Sequence, residues 1–224
     1  MIDICPTIDV EDTESFQIQM ERAAKFAHRV HIDLGDGVFT PNMLVPINDI
    51  WWPGGVRADL HLMYKKPLQH LNELIALSPQ LIIVHAEAEG DFRSFAETVH
   101  HHGIEIGIAL LQQTPAETIQ PALEFTDHVL IFSGNLGYQG GSTADMSLLN
   151  KIKFIKSIKP SIEIGWDGGV NDKNIRDLIA GGVEVANVGG YIQHSDDPTK
   201  AYERLQAAAV LSDTGELQQD SVQS

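Results

Sequence analysis

Eight short runs rich in valine, isoleucine and leucine alternate along this chain with longer segments of helical spacing. The apolar runs lie near residues 2–5, 29–34, 56–62, 81–85, 104–109, 128–132, 161–165 and 183–188. The segments with helical periodicity lie near residues 14–26, 67–77, 91–102, 115–125, 146–158 and 171–180. Strands that alternate with helices indicate βαβ units and a parallel sheet. Eight such units in about 210 residues predict an α/β protein with a single (β/α)8 fold, the TIM barrel.

The composition changes after residue 210. Residues 1–210 are predicted to form one barrel domain without an internal linker. Residues 211–224, LSDTGELQQDSVQS, contain few large apolar side chains. Such a segment cannot bury enough apolar surface to fold, so it is predicted to be a disordered tail.

Charge and cysteine content exclude several classes of protein. The formal net charge of −16 argues against nucleic acid as a partner, because phosphate backbones are bound by clustered Lys and Arg. No apolar stretch approaches the roughly 20 residues of a membrane span, and the first residues, MIDICPTID, lack the pattern of a secretory signal. A cytoplasmic location is therefore expected. The single cysteine, Cys5, excludes an intrachain disulfide and a cysteine-only zinc site.

Four candidate metal ligands lie at the ends of the apolar runs. His31 and Asp33 end the second run, His61 ends the third, and Asp167 follows the seventh. Because side chains alternate along a strand, His31 and Asp33 face the same side. The carboxyl ends of all strands meet at one rim of a TIM barrel, where active sites lie. The four side chains are therefore predicted to converge there. His85, which ends the fourth run, and Glu87 are interpreted as polar neighbours of the site rather than ligands.

Six segments together resemble a known family. They are, in order, ICPTI, HIDLGDGVFTPN, DLHLM, VHAEA, GYQGG and WDGGV. Across about residues 2–210 the chain resembles the ribulose-phosphate 3-epimerase family, and the block H-x-D-x-x-D-G-x-F-x-P-N is the most specific match. The resemblance implies that His31, Asp33, His61 and Asp167 bind a divalent cation. It further implies that Asp33 and Asp167 are the catalytic acid/base pair.

The implied activity is inversion of C3 of a ketose phosphate by two-base proton transfer through an enediolate, with D-ribulose 5-phosphate and D-xylulose 5-phosphate as the expected pair. Two imidazoles and two carboxylates suit one Zn²⁺, Fe²⁺, Mn²⁺ or Co²⁺ per chain better than Mg²⁺, which prefers oxygen ligands. Two alternatives stay open: an epimerase for another ketose phosphate such as allulose 6-phosphate, and a catalytically weak sugar-phosphate-binding paralogue. A homo-oligomer is expected.

The substrate's phosphate is expected at glycine-rich turns after strands six to eight, where phosphate sites recur in TIM barrels. Glycine turns bring backbone N–H groups close to an anion without obstruction by Cβ. The predicted substrate-binding residues, in these turns and on strands one and three, are Thr7, His61, Met63, Gly137, Tyr138, Gln139, Gly140, Gly168, Gly169, Gly189 and Gly190.

Five positions near the expected substrate depart from the family pattern. The family commonly has Met where this chain has Gly35 and Phe132, and Pro, Gly and Ser where it has Leu136, Gln139 and Gly190. A serine at position 190 would offer one more phosphate hydrogen bond, worth roughly 0.5–1.5 kcal/mol. An altered substrate preference is therefore expected, with catalysis retained.

Overall fold

The computed structural model describes residues 2–210, so the predicted tail lies outside the described residues. Eight parallel strands form a closed barrel in sequence order, and the last strand pairs with the first. The predicted TIM barrel is thus confirmed. The strands are β1 (Asp3–Ile8), β2 (Arg29–Gly35), β3 (Arg57–Met63), β4 (Leu81–His85), β5 (Glu105–Leu110), β6 (His128–Phe132), β7 (Glu163–Asp167) and β8 (Val185–Val188).

Helices cover the outside of the barrel. They are α1 (Thr13–Ala23), α2 (Leu71–Leu77), α3 (Phe92–His101), α4 (Leu149–Ile158), α5 (Ile175–Ala180), α6 (Gly190–Gln193) and α7 (Pro198–Val210). Short 3₁₀ turns lie at Ile47–Asp49, Pro67–His70 and Met146–Leu148. In the part of the chain that is described, no helix is at once long enough and apolar enough to cross a membrane.

One predicted helix differs in kind from the expectation. The segment predicted as an ordinary helix near 115–125 is a 3₁₀ helix, Ala116–Phe125, with Pro121 inside it. Proline has no N–H to donate to the preceding turn, and its ring clashes with the carbonyl four residues back. The tighter 3₁₀ geometry avoids a continuous α-helical ladder at this point, and its buried face still packs on the barrel through Ile119 and Leu123.

Strand alternation divides the apolar side chains between two cores. The larger core fills the space between the sheet and the helices, and it includes Trp166 and Ile32. A smaller cluster points to the opposite side of the sheet, into the barrel, and consists of Leu81, Ile83, Ala109 and Leu130. The barrel is therefore packed in its middle, which leaves its two ends for polar side chains.

The parallel register sets the polar side chains beside one another at the carboxyl end, hereafter the mouth. Thr7 lies opposite His31, and Asp33 lies opposite His61 on the neighbouring strand. Asp167 ends β7, where Phe132 of β6 is its partner in the pairing. Residues from β1, β2, β3 and β7 are thus held at similar heights by the sheet itself.

Candidate active site and metal centre

The four predicted ligands converge at the mouth. His31, Asp33, His61 and Asp167 each offer one ligand atom, and these atoms all lie within 4.8 Å of one another. His61 Nδ1 is 2.7 Å from Asp33 Oδ1. His31 Nε2 lies 3.2 Å from the same oxygen and 3.7 Å from Asp167 Oδ2. All four side chains are buried, so the cluster is preformed beneath the mouth rather than assembled from mobile loops.

His31 provides the test of whether these residues suit a cation. Both of its ring nitrogens are buried and lack a hydrogen-bond partner among the described residues. An unpartnered buried polar atom is costly and calls for an explanation. A cation between His31, Asp33 and Asp167 would satisfy Nε2 of the imidazole, which faces both carboxyls, and would balance the two carboxylates. The donor set of two nitrogens and two carboxylates therefore fits a divalent transition-metal ion.

The pKa values of the two buried carboxyls of the cluster are shifted in opposite directions. Burial alone would raise the pKa of Asp33, but the adjacent His31 and His61 rings outweigh it and hold that pKa well below its usual range. Burial, together with the charge of Asp33, raises the pKa of Asp167 to about 7. Environments that separate the pKa values of two neighbouring carboxyls are typical of acid/base pairs.

Asp9 is a third carboxyl at the mouth that the sequence analysis missed. It is 8% exposed and lines the same cavity as Asp33 and Asp167. Burial and the charges of these two carboxyls raise the pKa of Asp9 to about 8. A signal was available, because Asp9 lies two residues beyond Thr7 and strand alternation gives both residues the same face.

A cavity of about 270 Å³ lies above the cluster, and most of the predicted substrate-binding residues line it. These are Thr7, Met63, Tyr138, Gln139, Gly140, Gly168, Gly169, Gly189 and Gly190. The cavity lining does not include His61 or Gly137. His61 is fully buried below it. The carbonyl oxygen of Gly137 instead accepts a hydrogen bond of 3.1 Å from Asn42 Nδ2, which ties the loop after β6 to the loop after β2.

Two glycines in the turn after β7 depend on the absence of a side chain. Gly168 has φ of 111° and Gly169 has φ of 70°, both in the region that favours glycine. A Cβ on either residue would lie 2.2 Å from the backbone nitrogen of Gly134 or Ala144, respectively. The turn after β7 therefore packs against the loop after β6, and both reach the cavity.

The departures from the family pattern fit the space around them. A Cβ at Gly35 would lie 2.8 Å from Thr40 Oγ1, so the loop after β2 occupies the room of a larger side chain. Gln139 donates from Nε2 to the carbonyl oxygen of Thr7 at 3.2 Å. The Phe132 ring lies 5.7 Å from both the His61 and the His85 rings. The mouth is thus repacked rather than left with voids at these positions.

The departure from the family pattern at position 190 also fits the space around it. A Cβ at Gly190 would lie 2.8 Å from the Cα of Gly140, and a Cβ at Gly140 would lie 3.1 Å from the Cα of Gly190. The loop after β6 and the start of α6 therefore approach so closely that neither position has room for a side chain. Leu136 borders a second, more open cavity beside Phe132.

A TIM barrel carries its active site at this face, and the buried cluster with its cavity places the chain among the TIM-barrel enzymes. Comparison with known sequences then identifies the family. The chain belongs to the Ribulose-phosphate 3 epimerase family, whose model matches residues 3–193. The predicted family is confirmed, and with it the assignment as an isomerase.

Relatives of known name agree. The chain is 36% identical over 183 residues to a ribulose-phosphate 3-epimerase of Helicobacter pylori strain J99, a match that covers 79% of this chain and 84% of the relative. It is 26% identical over 223 residues to the Bacillus subtilis protein of the same name, with 93% and 100% covered. The family acts on sugar phosphates, and the buried His/Asp cluster can hold a metal ion.

Solved structures agree on the fold. A 3-hexulose-6-phosphate synthase from Salmonella typhimurium superposes with a TM-score of 0.69 at 12% identity, covering 93% of this chain and 98% of the other. A phosphoribosyl anthranilate isomerase from Thermus thermophilus superposes with a TM-score of 0.63, also at 12% identity, covering 92% and 98%. At such identities the likeness concerns the barrel alone.

Proposed function

We propose that this chain is a metal-dependent epimerase that inverts C3 of a ketose phosphate, with D-ribulose 5-phosphate and D-xylulose 5-phosphate as its substrate pair. The observation that carries the proposal is the convergence of Asp33 and Asp167 with two imidazoles at the mouth. Their strands, β2 and β7, are separated around the barrel by β1 and β8. The two carboxyls therefore approach the cavity from different sides, which suits proton transfer at two faces of one carbon.

The reaction needs one group to remove the C3 proton beside the C2 carbonyl and another to return a proton to the opposite face. In the proposed mechanism Asp33 serves one face and Asp167 the other. A divalent cation held by His31, Asp33, His61 and Asp167 would supply Lewis-acid stabilisation of the negative charge that develops on the substrate oxygens. Burial of the cluster keeps water away from the carbanion-like centre and strengthens these interactions.

The test is hydrogen exchange at C3 in D₂O, followed for a panel of ketose phosphates with the metal-loaded protein. The expected result is deuterium at C3 of ribulose 5-phosphate together with formation of xylulose 5-phosphate. The absence of C3 exchange with every ketose phosphate of the panel would refute the epimerase and leave the binding paralogue.

The glycine turns after β6, β7 and β8 are proposed to hold the phosphate through backbone N–H groups. The negative overall charge cannot attract a dianion at long range, so local backbone donors near the substrate must provide the affinity. Ribulose without a phosphate is therefore expected to turn over at least about 100-fold less efficiently, measured as kcat/KM. Equal efficiency for ribulose and ribulose 5-phosphate would contradict the assignment of these turns.

A second candidate substrate is another ketose phosphate, such as allulose 6-phosphate. It is favoured by the departures from the family pattern at the mouth, because Phe132, Gln139 and Gly190 all line the cavity. The same exchange panel separates the two candidates by relative kcat/KM. The expected homo-oligomer and cytoplasmic location stay predictions.

A further inference from the structure

A line of polar contacts runs from the candidate metal centre into the wall of the barrel. His61 contacts Asp33 through Nδ1, and its Nε2 is 2.9 Å from Nε2 of His85 on the neighbouring strand β4. His85 Nδ1 is in turn 3.3 Å from Glu87 Oε2. Both imidazoles are buried, with exposed fractions of 0% and 3%. The two imidazoles therefore lie behind the cluster and away from bulk water, and the line ends at Glu87, whose side chain is 23% exposed.

A neutral imidazole has only one N–H, and this fixes which ring nitrogen donates and which accepts at each contact of the line. A ring nitrogen that binds a cation carries no proton, and the nitrogen of His61 that faces the cluster is Nδ1. The one N–H of neutral His61 is then on Nε2, and it donates to His85 Nε2. An accepting Nε2 leaves the N–H of His85 on Nδ1, where it donates to the carboxylate of Glu87. The network admits no other arrangement of two neutral rings with His61 Nδ1 free.

Glu87 is anchored as the acceptor at the far end. Its other oxygen, Oε1, accepts from the backbone N–H of Leu111 at 3.2 Å and from the hydroxyl of Thr114. Burial raises the pKa of Glu87, but the hydrogen bonds from His85 and Thr114 outweigh that effect and leave the pKa below its usual value. Glu87 is therefore a carboxylate at neutral pH and can only accept.

We propose that His85 and Glu87 are positioning residues, which hold His61 in the tautomer with a free Nδ1 and thereby strengthen cation binding at the mouth. The inference rests on the proposed metal centre and extends it to two residues that do not bind the metal. Partners that accept the second N–H of a ligand histidine fix its orientation and raise its basicity, and their loss typically lowers metal affinity 10–100-fold.

The alternative is that His85 only packs. Its ring lies 4.8 Å from Phe39 and 5.7 Å from Phe132, so it belongs to an aromatic group as well as to the polar line. His85→Phe keeps a ring of similar size and removes the hydrogen bonds. Glu87→Gln keeps the shape of the acceptor and removes its charge. A role in packing alone predicts no change in metal affinity for Glu87→Gln.

Glu89 offers a matched control on the same loop. It lies two residues beyond Glu87, its side chain is 53% exposed, and its ion pairs are to Lys65 and Lys66 rather than to a histidine. Glu89→Gln removes the same charge at nearly the same distance along the chain. This variant therefore shows how much the loss of one carboxylate alone changes the affinity for a cation.

The experiment measures the Zn²⁺ affinity of the full-length chain by competition with a chelator, and the tautomer of His61 by ¹⁵N NMR of the zinc-loaded protein. Zn²⁺ affinity is expected to fall about 10-fold in Glu87→Gln and 10–100-fold in His85→Phe, with Glu89→Gln unchanged. In the wild type the His61 proton is expected on Nε2. Equal affinities in Glu87→Gln and Glu89→Gln, or a His61 proton on Nδ1, would overturn the proposal.

The result also separates this inference from the proposed reaction. A wild type that binds Zn²⁺ but fails to exchange C3–H of any ketose phosphate removes the epimerase and leaves the positioning role in place. A wild type that binds no Zn²⁺ overturns the positioning role, because no ligand tautomer is then required. If His85→Phe does not fold, Glu87→Gln alone decides.

Discussion

Charged side chains are buried at both ends of the barrel, but only at the amino end are the carboxylates paired with an arginine. At the amino end, Arg29 is 4% exposed and donates from Nε to Asp59 Oδ2 at 2.8 Å and from Nη2 to Glu163 Oε2 at 3.0 Å. His128 Nδ1 lies 2.8 Å from the same carboxylate of Glu163. At the mouth, no lysine or arginine of the described chain lines the cavity that holds Asp9, Asp33 and Asp167.

The contrast separates a structural role from a functional one. Although burial lowers the pKa of Arg29, the contacts with Glu163 and Asp59 raise it above its usual value. Hydrogen bonds from His128 and Arg29 outweigh burial and hold the pKa of Glu163 below its usual range, whereas burial outweighs the contact with Arg29 and raises the pKa of Asp59. At the mouth the pKa values of Asp9 and Asp167 are raised, which means that the folded chain resists their ionisation. An end of the barrel that holds several carboxyl groups and no lysine or arginine beside them is suited to bind a cation.

The largest expected effect concerns the two carboxyls at the mouth. Asp33→Asn and Asp167→Asn should each lower net epimerisation by 10³-fold or more, since each removes the base for one face of C3. A metal-loaded variant can still exchange the C3 proton of the one epimer that its remaining carboxyl faces. Exchange of each epimer in D₂O and metal content should be measured together. Near wild-type interconversion by either variant would rule out the two-base mechanism.

Removal of one ligand imidazole should cause the loss of the cation from the proposed metal site at the mouth. The purified wild type is expected to hold about one divalent ion per chain, and His31→Ala and His61→Ala much less, because each imidazole supplies one of the four proposed ligand atoms and imidazole is the site's only type of nitrogen donor. Elemental analysis of the three proteins gives the answer. Equal metal contents would mean that the ligands lie elsewhere.

Disruption of the amino end should instead affect folding. Arg29→Met leaves the buried Asp59 without its partner and takes the guanidinium from the half-buried Glu163, and the free energy of unfolding is expected to fall by about 3–5 kcal/mol. Urea titrations of the metal-free proteins measure the change. Metal content and kcat of the folded variant should match the wild type. A loss of metal from the folded variant would show that the two ends are not independent.

The smallest expected effect has the opposite sign. The pKa of Asp9 is raised to about 8 in the folded chain, so its contribution to stability is favourable below pH 4 and is lost as pH rises towards 8. Asparagine does not titrate. Metal-free Asp9→Asn should therefore gain stability over the wild type as pH rises from 5 to 8, because the wild type loses up to about 1.4 kcal/mol for each pH unit in this window. Urea titrations at both pH values test this, and a pH-independent difference would remove Asp9 from the unbalanced group.

The periodicity of the chain was enough to predict the barrel. The position of His31, Asp33, His61 and Asp167 at strand ends, which meet at one rim of a barrel, was enough to predict that they converge. Both follow from backbone geometry, which repeats and is therefore readable from spacing. The 3₁₀ helix Ala116–Phe125 was missed because a single proline decided between two similar helical geometries.

Other features depend on packing between distant segments. The pairing of Arg29 with Asp59 and Glu163 and the contact of His61 with His85 require distances between side chains on different strands, which no local pattern contains. Asp9 was within reach of the alternation argument that placed His31 and Asp33 on one face, applied from Thr7. It was missed because it lies beyond the apolar run at residues 2–5 and one residue beyond the strand β1.

The close approach of Gly140 and Gly190 has a consequence for how this mouth can evolve. Each glycine occupies the space that a Cβ on the other would need, so a serine at position 190 is obstructed as long as the loop after β6 keeps its present course. The two positions are therefore epistatic. A side chain at position 190 therefore requires the backbone at Gly140 to move, and a side chain at position 140 requires a smaller movement at Gly190, so a change at one position is best accommodated after a change in the loop that carries the other.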